Sequence, residues 1–175
     1  PNNVYIIGTM NTADRSLAGL DIALRRRFTF IEMPPKPELL SNVYVEDINI
    51  GSLLQVINKR IEILLDRDHC LGHAYFLPLT ENSSIDSLAT IFKNQILPLL
   101  QEYFFEDWRR INWILNGHQA DDLTPRFILP CESDNELAQL FGDEISGQLK
   151  DRRWQIDESA FYNLESYRQI LKGIA

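Results

Sequence analysis

The 175-residue sequence lacks most of the features by which a catalytic domain announces itself. No G-x-x-x-x-G-K-[ST] loop is present to cradle phosphates, and no strand ends in paired acids that could hold a divalent cation. Cysteine is scarce: Cys70 and Cys131 are the only two, neither in a CxxC pair, which excludes a disulfide framework and suits a reducing cytoplasm. Basic residues are outnumbered, 17 Lys and Arg against 25 Asp and Glu, for a net charge of −8, so this region is not expected to be a main nucleic-acid contact. No apolar run approaches the roughly 20 residues of a membrane span, and no signal peptide is expected. Internal repeats, low-complexity tracts and a hydrolytic triad are missing as well.

What is present is a hydrophobic content of 45%, enough for a real core in one domain or one and a half. The chain is organised around Asn3 to Met33, which reads as strand, polar turn, helix and strand. Val4 to Ile7 is a β-branched apolar run of the kind buried on both faces of a parallel sheet. The polar cluster Asn11-Thr12-Ala13-Asp14-Arg15-Ser16 follows where ligands collect, beyond the carboxyl end of a strand. Leu17 to Leu24 gives an apolar helical face, closed by Arg25-Arg26-Arg27 at the negative end of the helix dipole. Phe28 to Met33 alternates as a second strand, and Pro34-Pro35-Lys36-Pro37 stops it.

Each of these residues has two readings. An Asn at a strand tip can orient a water that attacks a phosphate, because its amide both donates and accepts; Asn11 and Asp14 can equally cap the next helix. Asn11 and Asp14 also have the Asn-x-x-Asp spacing that reads guanine in small G proteins. The arginines can be a solvated helix end, or can reach a neighbour's nucleotide and stabilise charge on its γ-phosphate.

The run MNTADRSLAGLDIALRRRF at 10–28, with LGHAYF at 71–76 and PLLQEYFF at 98–105, resembles the sensor-1 to arginine-finger segment and lid of AAA+ modules, above all those of the McrB family. That family comprises the GTPase subunits of modified-cytosine-dependent restriction systems. The resemblance implies Asn11 as sensor 1, Arg26 and Arg27 as fingers acting on the neighbouring subunit, and Arg25 as structural. Asp14, Arg15 and Asp21 have supporting roles, and Gly72 and His73 lie on the lid near the nucleotide. It implies GTP or ATP with Mg2+ as ligands, a homo-oligomeric ring of six subunits, an McrC-like nuclease partner, and DNA contacted through a separate N-terminal domain. The phosphate loop and metal acids should precede residue 1, so the chain is expected to be the C-terminal part of a longer polypeptide, inactive by itself. Two further readings stay open: a non-hydrolysing interaction module on an AAA+ scaffold, and an McrB-like ATPase outside restriction.

The fold class expected is therefore α/β followed by all-α. Residues 1–35 form the end of an AAA+ sheet, 36–117 a helical lid and 118–175 a C-terminal appendage. In the lid, Leu53, Leu54, Ile57, Ile61, Leu64 and Leu65 mark a helix over about 51–66, with Lys59, Arg60 and Glu62 off its apolar face. Gly72 is expected to make a tight turn. His69, Cys70 and His73 lack the distant partner a zinc site needs. Ser83 or Ser84 should cap the next helix, Pro98 should kink or break it near Leu97, and Tyr103-Phe104-Phe105 should be core. Trp108 to Leu115 should form a helix terminated by Gly117, its tryptophans packing rather than stacking on bases. In the tail, Arg126–Leu129 and Arg153–Ile156 are candidate partner strands, Asp134 to Ile145 an acidic helix, and Phe161 to Leu171 a last helical face.

Overall fold

The computed structural model describes residues 3–10, 26–131, 139, 141–142 and 153–172. The chain divides into two units, Pro1–Pro34 and Pro35–Ala175. In the first, neither 4–7 nor 28–33 belongs to a sheet. The expectation of a doubly buried strand at Val4 to Ile7 is corrected: all four side chains are exposed, Tyr5 by 90% and Ile7 by 95%. A strand gains its ladder and its burial from neighbouring strands, and the described residues supply none here. The expected helix at 17–24 lies outside the described residues.

The second unit is helical with two small hairpins. After a 3-10 turn at Pro37–Leu40, β1 (Tyr44–Val45) pairs antiparallel with β2 (Ile48–Asn49) across a two-residue turn in which Glu46 has φ 53°. Helix α1 (Ile50–Leu64) follows at once, its first turn capped by Asn49, whose side chain accepts from the Ser52 N–H at 2.8 Å. The expected stripe of Leu53, Leu54, Ile57 and Ile61 is buried. Gly51 is required by close approach: a Cβ there would stand 2.7 Å from the Pro37 carbonyl oxygen. Arg60 departs from the simple exposed reading. It is half-buried and donates to the carbonyls of Ile114 (2.8 Å) and Lys172 (3.4 Å), the ends of two later helices. A cation there also complements both dipoles.

Ser84 caps α2 (Ile85–Ile91), accepting from the Ser87 N–H at 3.2 Å. Ahead of Pro98 the helix is not broken but passes through a π turn over Phe92–Ile96, in which the Leu97 N–H reaches back to the Phe92 carbonyl, before α3 (Leu97–Tyr103) begins. Phe104 is buried as expected, but Phe105 is 93% exposed, because both it and Glu106 take left-handed backbone conformations, φ 49° and 59°, that swing the side chain outward. Helix α4 (Trp108–Ile114) ends not through Gly117 but through Asn116, which adopts the left-handed position itself at φ 57°. Gly117 answers a different need, since a Cβ there would sit 2.1 Å from Asn112 Oδ1. Trp108 packs on the core, whereas Trp113 lines a shallow groove with Arg60, Leu64 and Lys172.

In the tail, β3 (Ile128–Pro130) pairs antiparallel with β4 (Trp154–Ile156), and α5 (Leu164–Leu171) closes the unit. The Asp134–Ile145 helix lies almost wholly outside the described residues. Phe127, Phe161, Tyr167 and Ile170 share one hydrophobic core with the lid residues Phe76 and Phe92. Phe92 stacks on Phe127 at 5.7 Å and meets Tyr167 edge-on at 5.0 Å, an arrangement that aromatic quadrupoles favour. The buried Tyr167 hydroxyl donates to the Phe161 carbonyl at 2.7 Å, and burial pushes its pKa up. Asn116 and Gln169 exchange side-chain to backbone bonds at 2.8 and 2.9 Å, tying α5 to the end of α4.

Candidate functional site

Asn11, Asp14, Arg15, Asp21 and Arg25 lie outside the described residues. Arg26 and Arg27 fall in an exposed turn of the first unit. The other candidates, Gly72 and His73, sit in the second unit on the segment between α1 and α2, and that segment is held by hydrogen bonds more than by regular structure.

The anchor is Asn58, on the buried face of α1. Its Nδ2 donates to the Leu71 carbonyl at 2.9 Å and its Oδ1 accepts from the Leu71 N–H at 2.6 Å. One amide side chain thus satisfies both backbone groups of a fully buried residue, as a neighbouring strand would. Asn58 carries no expectation from the sequence, although a signal existed: it is polar inside the stripe Leu54, Ile57, Ile61, where an unpartnered amide would be costly.

Around that anchor the short 3-10 turn Arg67–His69 is capped by Asp66, which accepts from the N–H groups of Asp68 and His69 at 2.9 and 3.2 Å. His69 Nδ1 also lies 2.6 Å from Asp66 Oδ1, and this contact holds the Asp66 carboxyl below the usual range despite some opposing burial. The His69 ring meets Tyr103 edge-on, centroids 4.9 Å apart. Burial, aided by Glu62, Asp66 and Asp68, pushes the Cys70 thiol up, so it is a poor thiolate for attack or ligation. Among the described residues no group of three His, Cys, Asp or Glu is placed to hold a metal ion.

Gly72 does not make the expected tight turn. Its φ of −70° and ψ of 144° are open to any residue, and an added Cβ would meet only the Ala74 nitrogen, at 4.0 Å. It caps the 3-10 helix His73–Thr80. His73, half-exposed at the start of that helix, accepts the Lys36 backbone N–H on Nδ1 at 3.2 Å. A neutral imidazole that accepts on Nδ1 carries its proton on Nε2. The segment can therefore present a hydrogen-bond donor from a rigidly held backbone, the kind of group that receives an anionic oxygen.

No helix among the described residues is long and apolar enough to cross a membrane. Residues 49–112, which contain α1, Asn58, His73 and the π turn, match the family model described as McrB, alpha-helical lid domain. The chain is 42% identical over 129 residues to the type IV methyl-directed restriction enzyme EcoKMcrB subunit of Escherichia coli K12, a match covering 65% of this chain and 28% of that protein. It is 28% identical over 137 residues to the type II restriction enzyme BsuMI component YdiS of Bacillus subtilis 168, covering 73% of this chain and 38% of the relative. The chain thus spans well under half the length of either. A lid-model match over residues 49–112, joined to 42% identity with part of an McrB subunit, makes the helical part of this chain similar to the McrB family.

Proposed function

We propose that the chain is the C-terminal part of the AAA+ module of an McrB-like nucleoside triphosphatase, with GTP or ATP as substrate, that drives DNA restriction with a nuclease partner. The observation that carries this reading is an order along one chain: the turn exposing Arg26 and Arg27 comes directly before a unit that matches the McrB lid. Asn11 orients the attacking water at one subunit's own nucleotide, its amide bonding water and phosphate oxygen together. Arg26 and Arg27 stabilise the charge that develops on the γ-phosphate of the neighbour's nucleotide. Hydrolysis then requires a ring, and Asp14, Arg15 and Asp21 support the surface on which subunits meet. Mg2+, when bound, neutralises charge on the phosphates; its acidic ligands belong to a strand ahead of sensor 1, and none is assigned among these residues. His73, with an Nε2 donor, is compatible with a phosphate oxygen nearby. In this reading 4–7 and 28–33 become strands once the rest of the AAA+ sheet flanks them.

The test is GTP and ATP hydrolysis by the intact AAA+ ring carrying Arg26→Ala together with Arg27→Ala. Turnover should fall roughly 10³-fold or more while nucleotide binding persists. Mixing the double variant with a phosphate-loop variant should restore part of the activity. Unchanged turnover would reduce the arginines to a helix-end charge cluster, and a wild-type ring without turnover would leave a non-hydrolysing scaffold.

A further inference from the structure

The turn that ends α3 carries a residue ill suited to it. The Phe105 N–H bonds back to the Glu102 carbonyl at 3.3 Å and the Glu106 N–H to the Gln101 carbonyl at 2.9 Å, the pair of bonds that closes a helix through a left-handed residue. Glycine or asparagine usually takes that position; here Phe105 does, at φ 49°, and Glu106 follows at φ 59°. The backbone is strained, and what the strain accomplishes is to hold an aromatic ring out in solvent, 93% exposed. Glu102 and Glu106, on either side of it in sequence, are exposed and make no ion pair among the described residues, whereas Asp107 is engaged by Arg110 at 3.5 Å.

The groove at the other end of α4 has the opposite character. It is open, measures about 320 Å³, and is lined by Arg60, Ile63, Trp113, His118 and Lys172 among others, with no Asp or Glu, in a chain whose net charge is −8. Trp113 is 39% exposed and Ile63 74%. Arg60 bonds only to neutral carbonyls, and neither it nor Lys172 makes an ion pair among the described residues. A guanidinium drawn partly out of water without an anion gains more from an arriving carboxylate than an exposed one would. The projecting ring and the groove therefore complement each other twice over, apolar surface to apolar surface and carboxylates to cations. Both belong to one unit, at opposite ends of a seven-residue helix, so a molecule cannot fill its own groove and a second copy can.

We propose that the helical unit associates head to tail with a second copy of this chain, the Phe105 ring of one copy entering the Trp113 groove of the next, with Glu102 and Glu106 facing Arg60 and Lys172. The two patches differ, so the contact is heterologous and each copy can engage two others. It uses neither Arg26, Arg27 nor a nucleotide, and is a surface separate from the arginine-mediated contact proposed above.

Sedimentation equilibrium of the chain should show a mass that rises with concentration. Phe105→Gly removes the ring and suits the left-handed backbone, so it should weaken association about tenfold or more while the dilute protein melts no lower than wild type. Glu106→Lys and Lys172→Glu should each weaken association about fivefold, and the two together should recover most of the loss. Direction is tested by mixing: Phe105→Gly keeps its groove, and Trp113→Ala with Lys172→Glu keeps its ring. Each alone should stay monomeric, and together they should form a one-to-one complex that grows no further. A wild type that stays monomeric up to about millimolar concentration, a Phe105→Gly variant that associates as wild type does, or a mixture that forms no pair overturns the proposal. If the wild type is monomeric and Phe105 is shielded only in the longer polypeptide, the ring's occupant is another part of the same chain. If the monomer instead binds an acidic aromatic peptide through Lys172, the groove belongs to a different protein, and self-association is again overturned.

Discussion

Val4 to Ile7 and Leu53 to Ile57 are apolar runs of similar length, and the fold treats them oppositely. The first lies exposed in an irregular segment, and the second is buried, apart from the outward Gln55, at the centre of α1. Hydrophobicity does not separate them; the source of their backbone hydrogen bonds does. A helix closes its N–H to C=O bonds four residues away, so α1 needs only something to cover its stripe. A strand closes them on other strands, and 4–7 has none among the described residues. A helical unit can thus be complete beside apolar runs that join no sheet among the described residues.

Breaking the second unit should be expensive. Phe92→Ala removes a fully buried ring that touches Phe76, Phe127 and Tyr167, and should cost about 3–5 kcal/mol, seen as a drop of about 10 °C in thermal melting. A loss under about 1 kcal/mol would mean that lid and tail do not share a core. Asn58→Ala should cost about 1–3 kcal/mol by leaving the Leu71 N–H and carbonyl buried without partners. Its mark in hydrogen exchange should be local, with the Leu71 amide losing protection before the rest of α1.

A smaller effect attaches to the surface pair in which Arg168 donates to Asp47 at 2.9 and 2.6 Å. That contact, foremost the hydrogen bond, holds the Asp47 carboxyl below its ordinary value. Unfolded, Asp47 titrates as an ordinary aspartate. Since the folded form keeps its proton less readily, the pair's stabilisation is fully present above the unfolded pKa and fades as pH falls through the folded one. Asp47→Asn should therefore lower the melting temperature slightly at pH 7 and by progressively less as pH falls through the carboxylate range, and added salt should shrink the difference. The smallest effect belongs to the first unit: Ile7→Ser should change this chain's stability by no more than about 0.5 kcal/mol. Repeated in the AAA+ module proposed above, where a flanked sheet would bury residue 7, the same change should cost more than about 1 kcal/mol. Equal costs in the two settings would undo the comparison.

Legibility in the sequence followed the same division. Helix α1, the Ser84 cap, the interruption ahead of Pro98 and the 128–130 with 154–156 pairing were readable, because each depends on residues a few positions apart or on a proline's fixed chemistry. The Arg60 bonds to Ile114 and Lys172, the exposure of Phe105 and the Asn58 clamp were not, because each depends on a partner brought near by folding. Asn116 rather than Gly117 at the left-handed position belongs with them: Gly117 is reserved by the bulk of Asn112, so its neighbour turns the chain. At the site, the GHxYF pattern pointed to His73, but nothing in it disclosed that the ring faces Lys36.

The π turn has a consequence in terms of insertions and deletions. It places one residue more between Phe92 and Leu97 than a regular helix would, just ahead of a proline whose ring would clash with the carbonyl four residues back. The extra residue and Pro98 are therefore linked. Deleting a residue within 93–96 restores regular winding only in a chain that has also replaced Pro98, so the deletion alone should melt lower than the deletion combined with Pro98→Ala.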